Sequence, residues 1–175
     1  MADPAAADRP AAADPAAADR AAADRVAADR VAGRSAAAML AADAASAALG
    51  IELVDVHAGR ARMRMTVRAD MVNGHGVAHG GLVFALADSA FAVACNSGGV
   101  VTVAAGADIT FTAPARLGDV LLAEAVQTDA FGRNGLTDVR VTRQAADQPD
   151  AEVVAVFRGR SRSLGRPIPG ALLED

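Results

Sequence analysis

The sequence predicts an α+β fold: one long central helix wrapped by an antiparallel β-sheet, preceded by an N-terminal helix and a low-complexity tail. Three observations carry that expectation. The run from Gly81 to Asn96 is apolar nearly all round over a helical length, so it must be covered on every side. Two strand-like runs precede it and four follow it. Short turn segments separate those runs, as an antiparallel meander requires. A single sheet cannot enclose a helix completely, so the remaining face is expected to meet a second subunit.

The elements follow in order. Residues 1–34 repeat Ala, Asp and Arg with a period of about five, which fits neither a helix nor a heptad. Pro4, Pro10 and Pro15 interrupt the first half. Alanine favours helix from Ala16 on, but no apolar stripe is visible, so this segment reads as a solvated, disordered tail or a fraying helix. Its six Asp argue against an organelle transit peptide. The domain is expected over residues 35–170. "SAAAMLAADAASAALG" gives a short helix with Gly50 as its C-cap. "IELVDVHAGRARMRMTV" gives two strands joined near Ala58 and Gly59. In the second of them Ala61, Met63, Met65 and Val67 alternate with Arg60, Arg62, Arg64 and Thr66. After the long helix come "VVTVAAGADITFT", "DVLLAEAVQTD", "LTDVRVTRQ" and "EVVAVFRGRSR", divided by "APARLGD", "FGRNG" and "AADQPD". The end, "LGRPIPGALLED", reads as irregular.

Composition narrows the chemistry. The 175 residues suffice for one domain with a core. Net charge is −4, which provides no basic field for nucleic acid or anionic membranes. All 17 basic residues are Arg, so Schiff-base lysine chemistry and P-loop nucleotide hydrolysis drop out. The single Cys95 has no partner for a disulfide or a zinc site, which fits a reducing cytoplasm. Asp88 interrupts the best apolar span, and no signal peptide opens the chain.

The chemistry concentrates in Asn73–Ser97. "HGG" immediately precedes the helix, whose first N–H groups lack partners and lie at the positive end of its dipole. Gly80 and Gly81 let another molecule approach those donors, an arrangement suited to a developing oxyanion on a carbonyl. Asp88 is a carboxylate in apolar surroundings, expected to have a raised pKa. It follows Gly80 by eight residues, or ~12 Å along a helix axis. One chain therefore cannot bring both to the same ligand atom, whereas two subunits can. Asp88 also fits a polar joint at a dimer seam. His79 fits a loop cap as well as a catalytic part, and Asn73 fits a turn as well as a site residue. His75 and His79 sit in a glycine loop without a common face, so no metal is expected. Cys95 reads as a small core residue.

The segment "NGHGVAHGGLVFALADSAFAVACNS" resembles that of the PaaI-type hotdog thioesterases, the phenylacetic-acid degradation group. Those enzymes carry N-x-H-G-x-x-H-G-G, then L-A-D-x-A-F-A on a helix and a closing C-N-S. "DITFTAPARLGDVLLAEA" and "FRGRSRSLG" are similar to later parts of the same family, so the resemblance runs from about Met39 to Gly165. It implies a hotdog fold, a dimer often doubled to a tetramer, and hydrolysis of acyl-CoA thioesters with aryl-acetyl groups such as (hydroxy)phenylacetyl preferred. It matches Asp88 to the catalytic carboxylate, acting as general base or nucleophile, and Gly80 to the carbonyl-polarising N–H. His79 matches the histidine that orients the thioester, and Asn73 the asparagine that holds water or substrate. No cofactor or metal is implied, coenzyme A being part of the substrate.

Coenzyme A adds phosphates. Arg158, Arg160 and Arg162 share one strand face and, with Arg133 at the "GRNG" turn, are candidates to meet them; a solvated strand face is the alternative. Gly159 is a candidate to let the pantetheine arm lie against the strand, and Ser161 is a further candidate for binding substrate. Phe84, Phe91 and Phe111 are the candidates for an aryl ring. Two other functions compete with this one. A hotdog enoyl-CoA hydratase would carry an Asp-x-Asn-Pro-x-His loop, and "DMVNGHG" has glycine in place of that proline. A non-catalytic acyl-CoA sensor would need an output domain, and residues 1–34 carry no DNA-binding pattern.

Overall fold

A computed structural model describes residues 15–144 and 151–172. Helix α1 spans Pro15–Leu40, α2 spans Ala44–Leu49 and α3 spans Gly80–Cys95. The strands are β1 (Glu52–His57), β2 (Arg60–Thr66), β3 (Val100–Phe111), β4 (Val120–Phe131), β5 (Asn134–Gln144) and β6 (Glu152–Pro167). They form one antiparallel sheet in the order β1-β2-β4-β5-β6-β3, with α3 against β2, β4 and β5.

Strand β2 shows the expected alternation: Ala61, Met63 and Met65 are buried, and the intervening arginines are exposed. The β1–β2 turn contains Gly59 at φ 70°, where a left-handed conformation favours glycine. From α3, Val83, Leu86, Ala87, Ala90, Phe91, Val93 and Ala94 enter the core, where Leu121, Val139, Val141 and Phe157 meet them from the sheet.

The strand order corrects the expected meander. Helix α3 carries the chain across the face of the sheet, so β3 begins at the far edge and pairs with β6, while β4 returns beside β2. The C-terminal stretch is also more regular than expected. Pairing with β3 holds β6 extended to Pro167, and Ile168 N–H then donates to Gly99 O at 2.8 Å.

The boundary expected at residue 34 falls inside a continuous α1. Residues 16–34 are helical rather than disordered, and the end of α1 is docked: Ala32, Ser35 and Ala36 are no more than 1% exposed. Small residues at i, i+3 and i+4 allow close approach, and alanine on every side hides that stripe from the sequence pattern. Asp29 accepts from Ala58 N–H at 2.9 Å and meets His57 Nδ1 at 3.1 Å, pinning α1 to the β1–β2 turn. The expectation for residues 1–14 lies outside the described residues. The short helix expected over Ser35–Leu49 is two elements, because Asp43 caps α2 by accepting from Ser46 N–H; Gly50 closes α2 at φ 69°.

Candidate active site

The loop before α3 builds the first half of the site. Asn73 Oδ1 accepts from His75 N–H at 2.9 Å and from Val77 N–H at 3.3 Å, so its side chain folds the turn. His79 N–H donates to Met71 O at 2.8 Å, setting His79 at the N-cap of α3. Its Nδ1 accepts from Gly81 N–H at 3.3 Å, which occupies the Gly81 donor. The Gly80 N–H has no partner among the described residues, as expected at the first helical position. Gly80 borders a cleft of about 360 Å³ with Val77, Ala78, Val83, Phe111 and Pro114. The Phe111 ring stands against it: a Cβ on Gly80 would lie 2.9 Å from Phe111 Cζ.

Asp88 borders a different cleft, of about 350 Å³, with Met39, Phe91, Cys95, Val101, Thr102 and Ile168. Burial alone raises the Asp88 carboxyl above its ordinary pKa of 3.8, and no described group donates a hydrogen bond to it. Burial also pushes the Cys95 thiol up to about 12, which keeps it protonated and inert at neutral pH. Asn96 fixes the cleft wall. Its Nδ2 donates to Ala92 O at 2.9 Å and to Thr102 O at 2.8 Å, and its Oδ1 accepts from Thr102 N–H at 2.8 Å. Next to Asp88 on α3, Ser89 Oγ meets Ser46 Oγ at 2.9 Å, tying α2 to the helix that carries Asp88.

Other candidates are placed differently from expectation. Gly159 does not offer an open strand surface: a Cβ there would lie 2.5 Å from the Phe91 ring, so the missing side chain makes room for the core. Ser161 is 3% exposed and donates to Gly135 O at 3.4 Å, under the sheet rather than toward a ligand. Arg158 and Arg160 share the exposed face, but each already has a carboxylate. Arg158 binds Asp138 through two bonds of 2.6 and 2.7 Å, and Arg160 pairs with Asp108. Arg133 donates to Ser163 O at 3.0 and 2.8 Å beside the exposed Arg162. Phe84 packs edge-on against Phe157 with centroids 5.4 Å apart, Phe91 is buried, and Phe111 is 51% exposed. The sequence reading did not bring Met39 or Ile168 to Asp88: Met39 stood in the expected short helix and Ile168 in an irregular tail. The only signal was their apolar character in polar or alanine-rich company.

The thioesterase superfamily model matches residues 75–148, and the chain is 41% identical over 137 residues to acyl-coenzyme A thioesterase PaaI of Escherichia coli. That match covers 78% of this chain and 94% of the relative. The chain belongs to the thioesterase superfamily. Its thioesterase fold, the hotdog, is also that of the solved E. coli PaaI from the phenylacetic acid degradation operon. There the TM-score is 0.75 at 40% identity, covering 79% of this chain and 97% of that one. Smu.793 of Streptococcus mutans, solved bound to acetyl CoA, gives a TM-score of 0.62 at 25% identity, covering 67% and 90%. Among the described residues of this thioesterase, no helix is long and apolar enough to cross a membrane.

Proposed function

We propose that the protein hydrolyses acyl-CoA thioesters to free acid and CoA, with aryl-acetyl groups such as phenylacetyl or hydroxyphenylacetyl as the acyl moiety. The observation that carries the proposal is a desolvated carboxylate, Asp88, and an unpartnered helix-start amide, Gly80, facing separate clefts of one chain. In a dimer, Asp88 of one protomer serves with Gly80 of the partner subunit. Asp88 takes a proton from water as the oxygen attacks the thioester carbonyl. Negative charge gathers on the carbonyl oxygen, where the Gly80 N–H and the helix dipole stabilise it. The C–S bond then breaks, and the proton passes from Asp88 to the departing sulfur. A thioester is already activated, so one base and one oxyanion donor suffice without a cofactor or metal.

The free edge strand β3 supports the dimer. It runs for 12 residues beside the Asp88 cleft, with Val103 42% exposed. An apolar edge of that length is a template for a second copy. A tetramer belongs to the same proposal, and light scattering reads both. The half-buried Cys95, with no disulfide partner, fits the reducing cytoplasm, where the proposal places the enzyme.

For the CoA phosphates the proposal favours Arg133 and Arg162 over Arg158 and Arg160, whose guanidinium groups are held by Asp138 and Asp108. Arg133→Ala is expected to raise KM for acyl-CoA and to leave KM for the phosphate-free acyl-pantetheine unchanged. The enzymatic proposal itself is tested by thiol release over a panel of acyl-CoAs. Turnover by the wild type and its loss in Asp88→Asn supports it; no turnover on any CoA or carrier-protein thioester overturns it.

A further inference from the structure

We infer that Met39 of α1 and Ile168 of the C-terminal segment form the end wall of the acyl pocket and set how large an acyl group it accepts. The inference rests on the proposed acyl-CoA reading and adds the residues that select the substrate. The cleft beside Asp88 follows one face of α3 from Asp88 through Phe91 and Ala92 to Cys95, positions i, i+3, i+4 and i+7. Beyond Asp88 its lining carries no charged side chain, so it fits an acyl group and not the phosphates of CoA. Met39 and Ile168 close it from outside the sheet and the central helix, each brought there by one end of the chain.

Both are held in place. Ile168 is 6% exposed, and its N–H donates to Gly99 O at 2.8 Å. Ala171 is fully buried, its N–H donates to Ile168 O at 3.1 Å, and its carbonyl accepts from Arg34 Nε at 2.7 Å. Leu172 lies against Gly99, where a Cβ would meet its Cδ2 at 2.7 Å. The segment after β6 is therefore fastened across the start of β3 and onto α1. The buried Ala32, Ser35 and Ala36 share one face of α1 with Met39 and fix the helix there. A wall held at both ends by hydrogen bonds and packing has a defined position, as a size filter requires.

The test measures binding as well as turnover. In the Asp88→Asn background, affinities for straight-chain acyl-CoAs of increasing length and for phenylacetyl-CoA are measured by calorimetry, with and without Met39→Ala or Ile168→Ala. Each is expected to extend the accepted chain, with affinity for the first rejected length rising about tenfold, the scale of one methylene in an apolar pocket. Met39→Phe is expected to shift the cutoff the other way, which loosening of the fold cannot do. An unchanged length profile in folded variants overturns the inference, whatever the wild-type turnover. Absence of wild-type turnover with a shifted binding profile overturns the hydrolytic reading alone.

Discussion

Gly80 and Asp88 lie on the same helix yet open onto different clefts, one walled by Phe111 and the other by Met39 and Ile168. The Gly80 amide and the Asp88 carboxylate of one chain therefore do not face a common atom. In the proposed dimer, a dyad would bring the Gly80 of each chain to the Asp88 of the other and give two equivalent sites.

Asp88→Asn keeps the shape of the side chain and removes the proposed base. The expected outcome is a fall in kcat of about a hundredfold to ten-thousandfold, the usual contribution of a positioned general base, with little change in KM. Steady-state kinetics with phenylacetyl-CoA check it.

The pH dependence follows from the raised Asp88 pKa. If Asp88 is the general base, as proposed, its ionised form is the active one, so kcat/KM should fall on acidification through an inflection above 3.8, and Asp88→Asn should lack that limb. The stability effect has the opposite sense. Because the folded pKa exceeds the unfolded one, ionised Asp88 destabilises the fold at pH values above both, and the penalty disappears below 3.8. Asp88→Asn is therefore expected to raise Tm at pH 7, with the difference closing as pH falls. Thermal unfolding across pH reads it.

Gly159→Ala places a Cβ 2.5 Å from the Phe91 ring inside the core. Overpacking of this kind costs about 1–3 kcal/mol. The expected result is a lower denaturant midpoint; an unchanged midpoint with a raised KM would restore the ligand-facing role first expected for this glycine.

Asn96→Ala leaves both backbone groups of Thr102 without their side-chain partner at a buried site. Leaving buried groups unsatisfied costs about 1–3 kcal/mol, readable by urea denaturation.

The parts of this fold that the sequence displays are those governed by local periodicity. The alternation around Met63 and Met65, the uniform apolarity of α3 and the glycine at position 50 each follow from their own neighbours. The edge position of β3 is not local, since it depends on where α3 delivers the chain. The docking of α1 is hidden because alanine offers the same small surface on every side, so Ala32 and Ala36 look no different from Ala22. Gly159 illustrates a third limit. A glycine in a strand signals close approach, but the sequence does not say whether a ligand or the Phe91 ring approaches. At the site, the helix-start glycines and Asp88 are legible because their chemistry is out of place in an apolar run. Met39 and Ile168 are not, because an apolar residue in a pocket wall looks like one in a core.

The proposed shared site is tested most directly by mixing two variants expected to be inactive, Asp88→Asn and Gly80→Val, after dissociation and reassembly. A mixed dimer contains one site with both native groups, Asp88 from one chain and Gly80 from the other, so equal mixing should restore about a quarter of wild-type activity. If the mixture stays as inactive as its components while mass spectrometry shows mixed dimers, the two groups act within one chain and the account is contradicted.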